Sequence, residues 1–168
     1  QDHLDYHKNT KNYLKAKLYL FEKLIKKGGN IITDEKIPEF KKIKNIATNK
    51  NLNLFSLLDK KNNFQFLSHQ YEHESQLLEI KYKNSIHKIK LNLIGKVQFK
   101  NVLMAVIASI KSGINIEDIL NTIPKIKSVE GRFERVGRIK NNSKVILDYA
   151  HTPDALKTCL KNIKEQFP

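Results

Sequence analysis

The sequence predicts an α/β chain: a mixed sheet layered with helices, an antiparallel meander in the middle, and a closing strand–loop–helix unit. Three observations carry this. A helical apolar stripe runs into Gly28-Gly29 and then a short apolar strand, which is the grammar of an α/β layer. Ile89, Leu91 and Leu93 alternate with Lys88, Lys90 and Asn92, the period of a strand with one buried and one wet face. The strand Lys144 to Leu147 leads through a polar loop into a helix marked by Thr152 as cap, Pro153 in first position and Asp154 in the first turn.

Taken in order, Thr10 caps a helix running to about Lys27, with Leu14, Leu18, Phe21 and Ile25 as its stripe. Gly28-Gly29 ends it, because glycine tolerates the left-handed turn that follows a helix. Asn30 to Thr33 is a strand, and Ile37 to Ile43 a second helix. From there to Leu93 the pattern is one of strands, with Leu77 to Tyr82 and Ile86 to Leu93 flanking the turn Lys83-Asn84-Ser85. Gly95 breaks the alternation. Asn101 to Ser112 is a helix closed by Gly113, and Asn115 caps another, Ile116 to Thr122, before Pro124. The final helix carries a stripe of Leu156, Leu160, Ile163 and Phe167.

Composition excludes several classes. The longest nearly apolar run, Val102 to Ile110, is about half of a membrane span. The single Cys159 allows no internal disulfide, which suits a reducing compartment. The net charge of +14 suggests a polyanion partner. However, it comes from 28 Lys and only 3 Arg, scattered along the chain, and Lys, Asn and Ile together make up 65 of 168 residues. That is the signature of an AT-biased coding sequence rather than of base readout, which leans on Arg. No nucleic-acid partner is expected, and a basic nucleic-acid-binding module is the minor alternative.

Three constellations can carry chemistry. Asp2, His3, Asp5 and His7 offer carboxylates and imidazoles to a divalent metal, although no established zinc spacing supports them. Asp148-Tyr149-Ala150-His151 sits at the carboxyl end of a strand and before a helix amino terminus, where α/β sheets bind anionic ligands. Capping accounts for Thr152, Pro153 and Asp154, but not for Asp148 together with His151. Arg132 and Arg135, in Gly131-Arg132-Phe133-Glu134-Arg135, suit bidentate phosphate or carboxylate binding, or else surface ion pairs with Glu130 or Glu134.

In combination and in order, DHLDYH with NYLKAKLYLF, GKVQFKNVLMAV, VEGRFERV and VILDYAHTPDAL resemble the Mur ligase family, across Asp2 to Leu156. The strongest resemblance is to its tripeptide-forming branch. The resemblance implies an ATP-dependent acid–amino-acid ligase that attaches meso-diaminopimelate or L-lysine to UDP-N-acetylmuramoyl-L-alanyl-D-glutamate in peptidoglycan synthesis. ATP and magnesium would be required, and the full-length enzyme would be cytoplasmic and monomeric, with no membrane partner. Residues 1–131 would be the later part of the central ATP-binding domain, and 132–168 the start of a Rossmann-like C-terminal domain. Lys17 would be carbamylated and support magnesium with His3. Asn101 would meet the adenine, and Arg132, Asp148 and His151 the rest of the nucleotide. Other Mur ligases and folylpolyglutamate synthases are the nearest alternatives.

The chain also departs from the family pattern. Val97-Gln98 stands where an earlier asparagine is usual, Glu130 and Phe133 where Pro and Met are common, and Ile32-Thr33-Asp34-Glu35 where N-A-D-D is. No GxxxxGK[ST] loop occurs in the 168 residues. The reading is therefore of an internal fragment, expected to be inactive alone.

Overall fold

The computed structural model describes residues 8–59 and 63–168, and these two stretches are two compact units. His3 and its DHLDYH segment lie outside the described residues.

In the first unit, helix α1 (Thr10–Tyr19) passes into a π-turn at Leu20–Leu24, followed by β1 (Asn30–Thr33), α2 (Phe40–Lys50) and β2 (Asn53–Ser56). The cap of α1 is Asn9, whose side chain accepts from the Asn12 amide at 2.8 Å, not Thr10. The helix also stops earlier than its stripe suggests, because Ile25 turns to extended backbone and Gly28 takes φ +78°. Strands β1 and β2 pair in parallel, Asn30 opposite Asn53, so the second strand completes a β–α–β layer and is no part of the meander. Helix α2 starts after Pro38 and runs seven residues beyond the expected end, to a left-handed Asn51. Its Ile43 and Ala47, one turn apart, pack with Ile31 and Leu52, and Leu18, Phe21 and Ile25 of the expected stripe join them.

In the second unit, β3 (Phe64–Glu72), β4 (Ser75–Tyr82) and β5 (Ser85–Leu91) form the expected antiparallel meander, joined by two-residue loops. The first residue of each loop, His73 and Lys83, is left-handed. The face bearing Leu78, Ile80, Ile89 and Leu91 is buried. Each such side chain contributes roughly 1.5–3 kcal/mol when removed fully from water. Helix α3 (Lys96–Lys111) begins five residues before the predicted start and stacks Phe99 on Phe66 and His69, at 5.7 and 4.3 Å between centroids. Helix α4 (Ile116–Thr122) has the expected Asn115 cap, and Ile123–Lys125 forms a single 3₁₀ turn.

The remainder is β6 (Glu134–Arg138) paired antiparallel with β7 (Lys144–Leu147), then α5 (Pro153–Gln166), capped by Thr152 as expected. Strand β6 was not foreseen in GRFER. The expected stripe of α5 holds in part: Ile163 and Phe167 pack against Ile94, Phe133 and Cys159. Cys159, Asn162 and Gln166 are buried, whereas Leu156 and Leu160 are about half exposed. Two of these polar side chains have a defined task. Gln166 Oε1 accepts from the Gly95 amide at 2.8 Å, and Asn162 Oδ1 from the Lys96 amide at 2.6 Å. Helix α5 thereby satisfies amides at the start of α3 that the helix cannot satisfy itself. Gly95 has φ +87°, and a Cβ there would press on Asn162 at 3.2 Å.

Candidate functional site

The second unit brings together four elements carrying predicted residues: the turn 131–133, the loop 148–151, the start of α3 and the β6–β7 hairpin. Asp148 joins the first two. Its Oδ2 accepts from the Phe133 amide at 2.9 Å and its Oδ1 from the Ala150 amide at 3.0 Å, while the Tyr149 amide donates to the Gly131 carbonyl at 2.8 Å. Phe133 has φ +48°, a strained conformation for a bulky residue. Its buried ring, packed with Ile94 and Cys159, and its bond to Asp148 hold it there. A carboxylate has about four lone-pair sites, so two backbone amides leave acceptor capacity on Asp148.

Three side chains form an exposed layer on this base. The Arg132 guanidinium lies 5.3 Å from the centroid of Tyr149, and Tyr149 meets His151 edge-on at 4.8 Å. His151 Nδ1–H donates to the Tyr149 carbonyl at 2.9 Å, so the neutral ring carries its lone pair on Nε2. Among the described residues Arg132 has no carboxylate partner, unlike Arg135 and Arg138, which both pair with Glu74. Arg135 therefore makes a surface ion pair, but with Glu74 instead of Glu130 or Glu134. A planar cation stacked on an exposed ring, beside a carboxylate and an imidazole, suits a ligand with an aromatic part, hydroxyls and negative charge.

Helix α3 touches this layer through Gln98, whose Nε2 donates to the Arg132 carbonyl at 3.4 Å. Asn101 is exposed, one turn further along. The departure at Gln98 thus has a structural consequence: the side chain holds the backbone of the arginine. Tyr149 and Gln98 were not among the predicted site residues. The signal for Tyr149 was its place inside DYAH, and that for Gln98 its place at the position where an earlier asparagine is usual.

Nearby groups titrate unusually. Burial, helped by the charge of Asp148, pushes the Cys159 thiol up, and the thiol packs in the core below the turn. Burial lowers the His69 imidazole. A hydrogen bond to Gln76 at 2.8 Å and the charge of Glu165 work against the fall, and the charge of Lys96 adds to it.

Lys17 is in the first unit, exposed on α1, with Nζ 4.8 Å from the Tyr13 centroid. It borders a groove of about 960 Å³ shared with Leu14, Thr33, Glu39 and Lys42. Among the described residues no three His, Cys, Asp or Glu side chains gather as a metal site. As an ammonium Lys17 repels a cation. As a carbamate it offers one oxygen ligand of the kind magnesium prefers. The described residues therefore fit one ligand position and do not complete a site.

Comparison with known proteins gives a consistent picture. A family profile for the Mur ligase middle domain matches residues 1–109, and one for the Mur ligase glutamate ligase domain matches 131–168. A UDP-N-acetylmuramoyl-L-alanyl-D-glutamate–2,6-diaminopimelate ligase from Rickettsia montanensis is 35% identical over 167 residues, covering 98% of this chain and 34% of the relative. One of the same name from Fusobacterium nucleatum is 36% identical over 168 residues, covering 98% and 33%. The chain spans about a third of the length of these curated relatives. Among solved structures, MurF from Acinetobacter baumannii superposes with a TM-score of 0.80 at 17% identity, covering 98% of this chain and 35% of that one. MurF from Thermotoga maritima in complex with ADP gives 0.75 at 18%, covering 99% and 37%. At these identities the structures show the fold alone. Among the described residues no helix is long and apolar enough to cross a membrane.

Proposed function

Because this chain belongs to the Mur ligase family, we propose that it forms part of a bacterial cytoplasmic ligase that uses ATP to join a free amino acid to UDP-N-acetylmuramoyl-L-alanyl-D-glutamate. The observation that carries the reading is the Arg132–Tyr149–His151 layer over Asp148, which offers a nucleotide stacking, charge and hydrogen-bond acceptors at one place. The names of the relatives favour diaminopimelate as the amino acid over L-lysine. The division into a central-domain part, 1–131, and a C-terminal-domain part, 132–168, belongs to the same proposal.

The chemistry follows from the acceptor. A carboxylate does not react with an amine, so its oxygen first takes the γ-phosphoryl group of ATP, giving an acyl phosphate and ADP. The amine then attacks the acyl carbon, the carbon–oxygen bond breaks and phosphate leaves. Such transfers depend on positioning and charge compensation more than on covalent participation by the protein. Arg132 would meet the anionic part of the nucleotide, with Tyr149 keeping its guanidinium flat. The remaining lone pairs of Asp148 would accept from ribose hydroxyls. His151 would contact the nucleotide through Nε2, and Asn101 would read the adenine. Lys17 would be carbamylated, its amine forming a bond to carbon dioxide and releasing a proton. Magnesium, when bound, would offset charge on the phosphoryl group.

The test is phosphate release by the full-length protein that carries this chain, with ATP, the UDP-linked dipeptide and either amino acid. Release that needs all three substrates, and is faster with diaminopimelate, is the expected result. Release only with lysine would change the amino acid and keep the ligase. No ATP-dependent product with either amino acid would remove the proposal.

A further inference from the structure

A two-stranded hairpin alone is marginal in water, and β6–β7 is a two-stranded sheet whose Val136, and Ile139 in the connection after it, are more than half exposed. One of its ends carries the candidate nucleotide residues, where Glu134 pairs with Leu147 between Arg132 and Asp148. At the other end Arg138 pairs with Lys144. Besides local bonds from Arg138 to Asn142 and from the Ile139 amide to the Ser143 carbonyl, that end is held from a distant part of the sequence. Glu74 lies in the two-residue loop between β3 and β4, flanked by the paired Glu72 and Ser75. Its Oε2 accepts from Arg135 at 3.2 Å, its carbonyl accepts from Arg135 as well, its Oε1 accepts from Arg138, and Lys144 Nζ is 3.6 Å from Oε1. Two of the chain's three arginines are therefore spent on one carboxylate.

A single surface ion pair contributes little, whereas a shared network with Arg geometry contributes more. This one bridges both strands of the hairpin. Desolvation pushes the Glu74 carboxyl up, but the charges of Arg138, Arg135 and Lys144 together outweigh it and hold the group below its ordinary value. The network therefore stays charged at neutral pH.

We propose that Glu74 is a positioning residue for the nucleotide side: by clamping Arg135, Arg138 and Lys144 it fixes the register of β6 against β7, and so the placing of Arg132 and Asp148. The proposal rests on the ligase reading above. Glu74 itself is not expected to touch substrate.

The experiment compares Glu74→Gln with its parent in the full-length protein. The KM for ATP should rise about 5- to 10-fold, the equivalent of roughly 1–1.4 kcal/mol, with kcat and the KM for the amino acid within about two-fold. Glu74→Asp, which keeps the charge, should recover part of the loss. The Phe133 and Tyr149 amides should exchange hydrogen faster in Glu74→Gln. A folded Glu74→Gln protein with unchanged KM for ATP overturns the proposal, whatever its stability. If that variant does not fold, Arg138→Gln removes one arm of the clamp and should raise the KM for ATP in the same direction, and no change there overturns it equally. A parent without ATP-dependent ligation defeats the ligase reading alone. Amide exchange then decides on the clamp: faster exchange at Phe133 and Tyr149 supports it, and unchanged exchange removes it.

Discussion

Lys17 stands on an exposed helix face with the Tyr13 ring as its neighbour, whereas Asp148 is gripped by two backbone amides, one from the 131–133 turn and one from its own loop. The first is an exposed group whose removal should leave the surrounding fold unchanged. The second belongs both to the proposed chemistry and to the structure that presents it. The contrast teaches how each can be tested. A functional role for Lys17 appears without any loss of stability, while Asp148 couples the two and must be separated from its own scaffold.

The largest effect is expected at Lys17. Lys17→Ala should leave the unfolding free energy within about 0.5 kcal/mol, as for exposed helix positions. It should also lower ligation by at least about 100-fold, since losing a direct ligand costs no less than losing an outer-shell partner, which costs roughly 10–100-fold, with partial recovery on adding short carboxylates. Steady-state ligation with and without acetate checks this, and a fully active variant would end the carbamate role. Asp148→Ala should destabilise the protein by about 1–3 kcal/mol, because the Phe133 and Ala150 amides lose their acceptors and a left-handed Phe133 loses its restraint. Urea unfolding measures this. A loss as small as that at Lys17 would erase the distinction between the two regions.

The smallest expected effect concerns pH. His69 has a lowered pKa in the fold, so protonation favours the unfolded chain. Its contribution to stability is present above the unfolded value of about 6.5 and is lost as pH falls through the lower folded value. Replacing His69 with Gln should flatten the pH dependence of stability below about 6.5, a change visible in thermal unfolding between pH 7 and 5. It should leave the Arg132–Tyr149–His151 layer untouched.

Features with a local cause were legible in the sequence. Strands β1 and β7 match their expected bounds, as does α4 with its Asn115 cap, and the Thr152 cap with Pro153 places the start of α5. Alternation and capping act within a few residues, so they can be read along the chain. Features with a distant cause were not. The end of α2 is made of Lys44-Asn45-Ile46-Ala47-Thr48-Asn49, mostly weak helix formers, and burial of Ile43 and Ala47 against Ile31 keeps it helical. On α5 the stripe holds at Ile163 and Phe167 but not at Leu156 and Leu160, since Asn162 and Gln166 are buried to serve amides 66 and 71 residues away. The Arg135–Glu74 pair spans 61 residues in the same way. Asp148 and Arg132 could be singled out by residue type, but the bond from Asp148 to Phe133 could not.

The most direct test of the central claim, that the 131–133 turn and the 148–151 loop form the nucleotide side of a ligase, is ATP affinity in the full-length protein with Arg132→Ala beside its parent. Losing the guanidinium stacked on Tyr149, which under the proposal meets the phosphates, should weaken ATP at least about 10-fold, in line with a charge-assisted contact, with unfolding unchanged. Equal affinity in the two proteins would contradict the assignment.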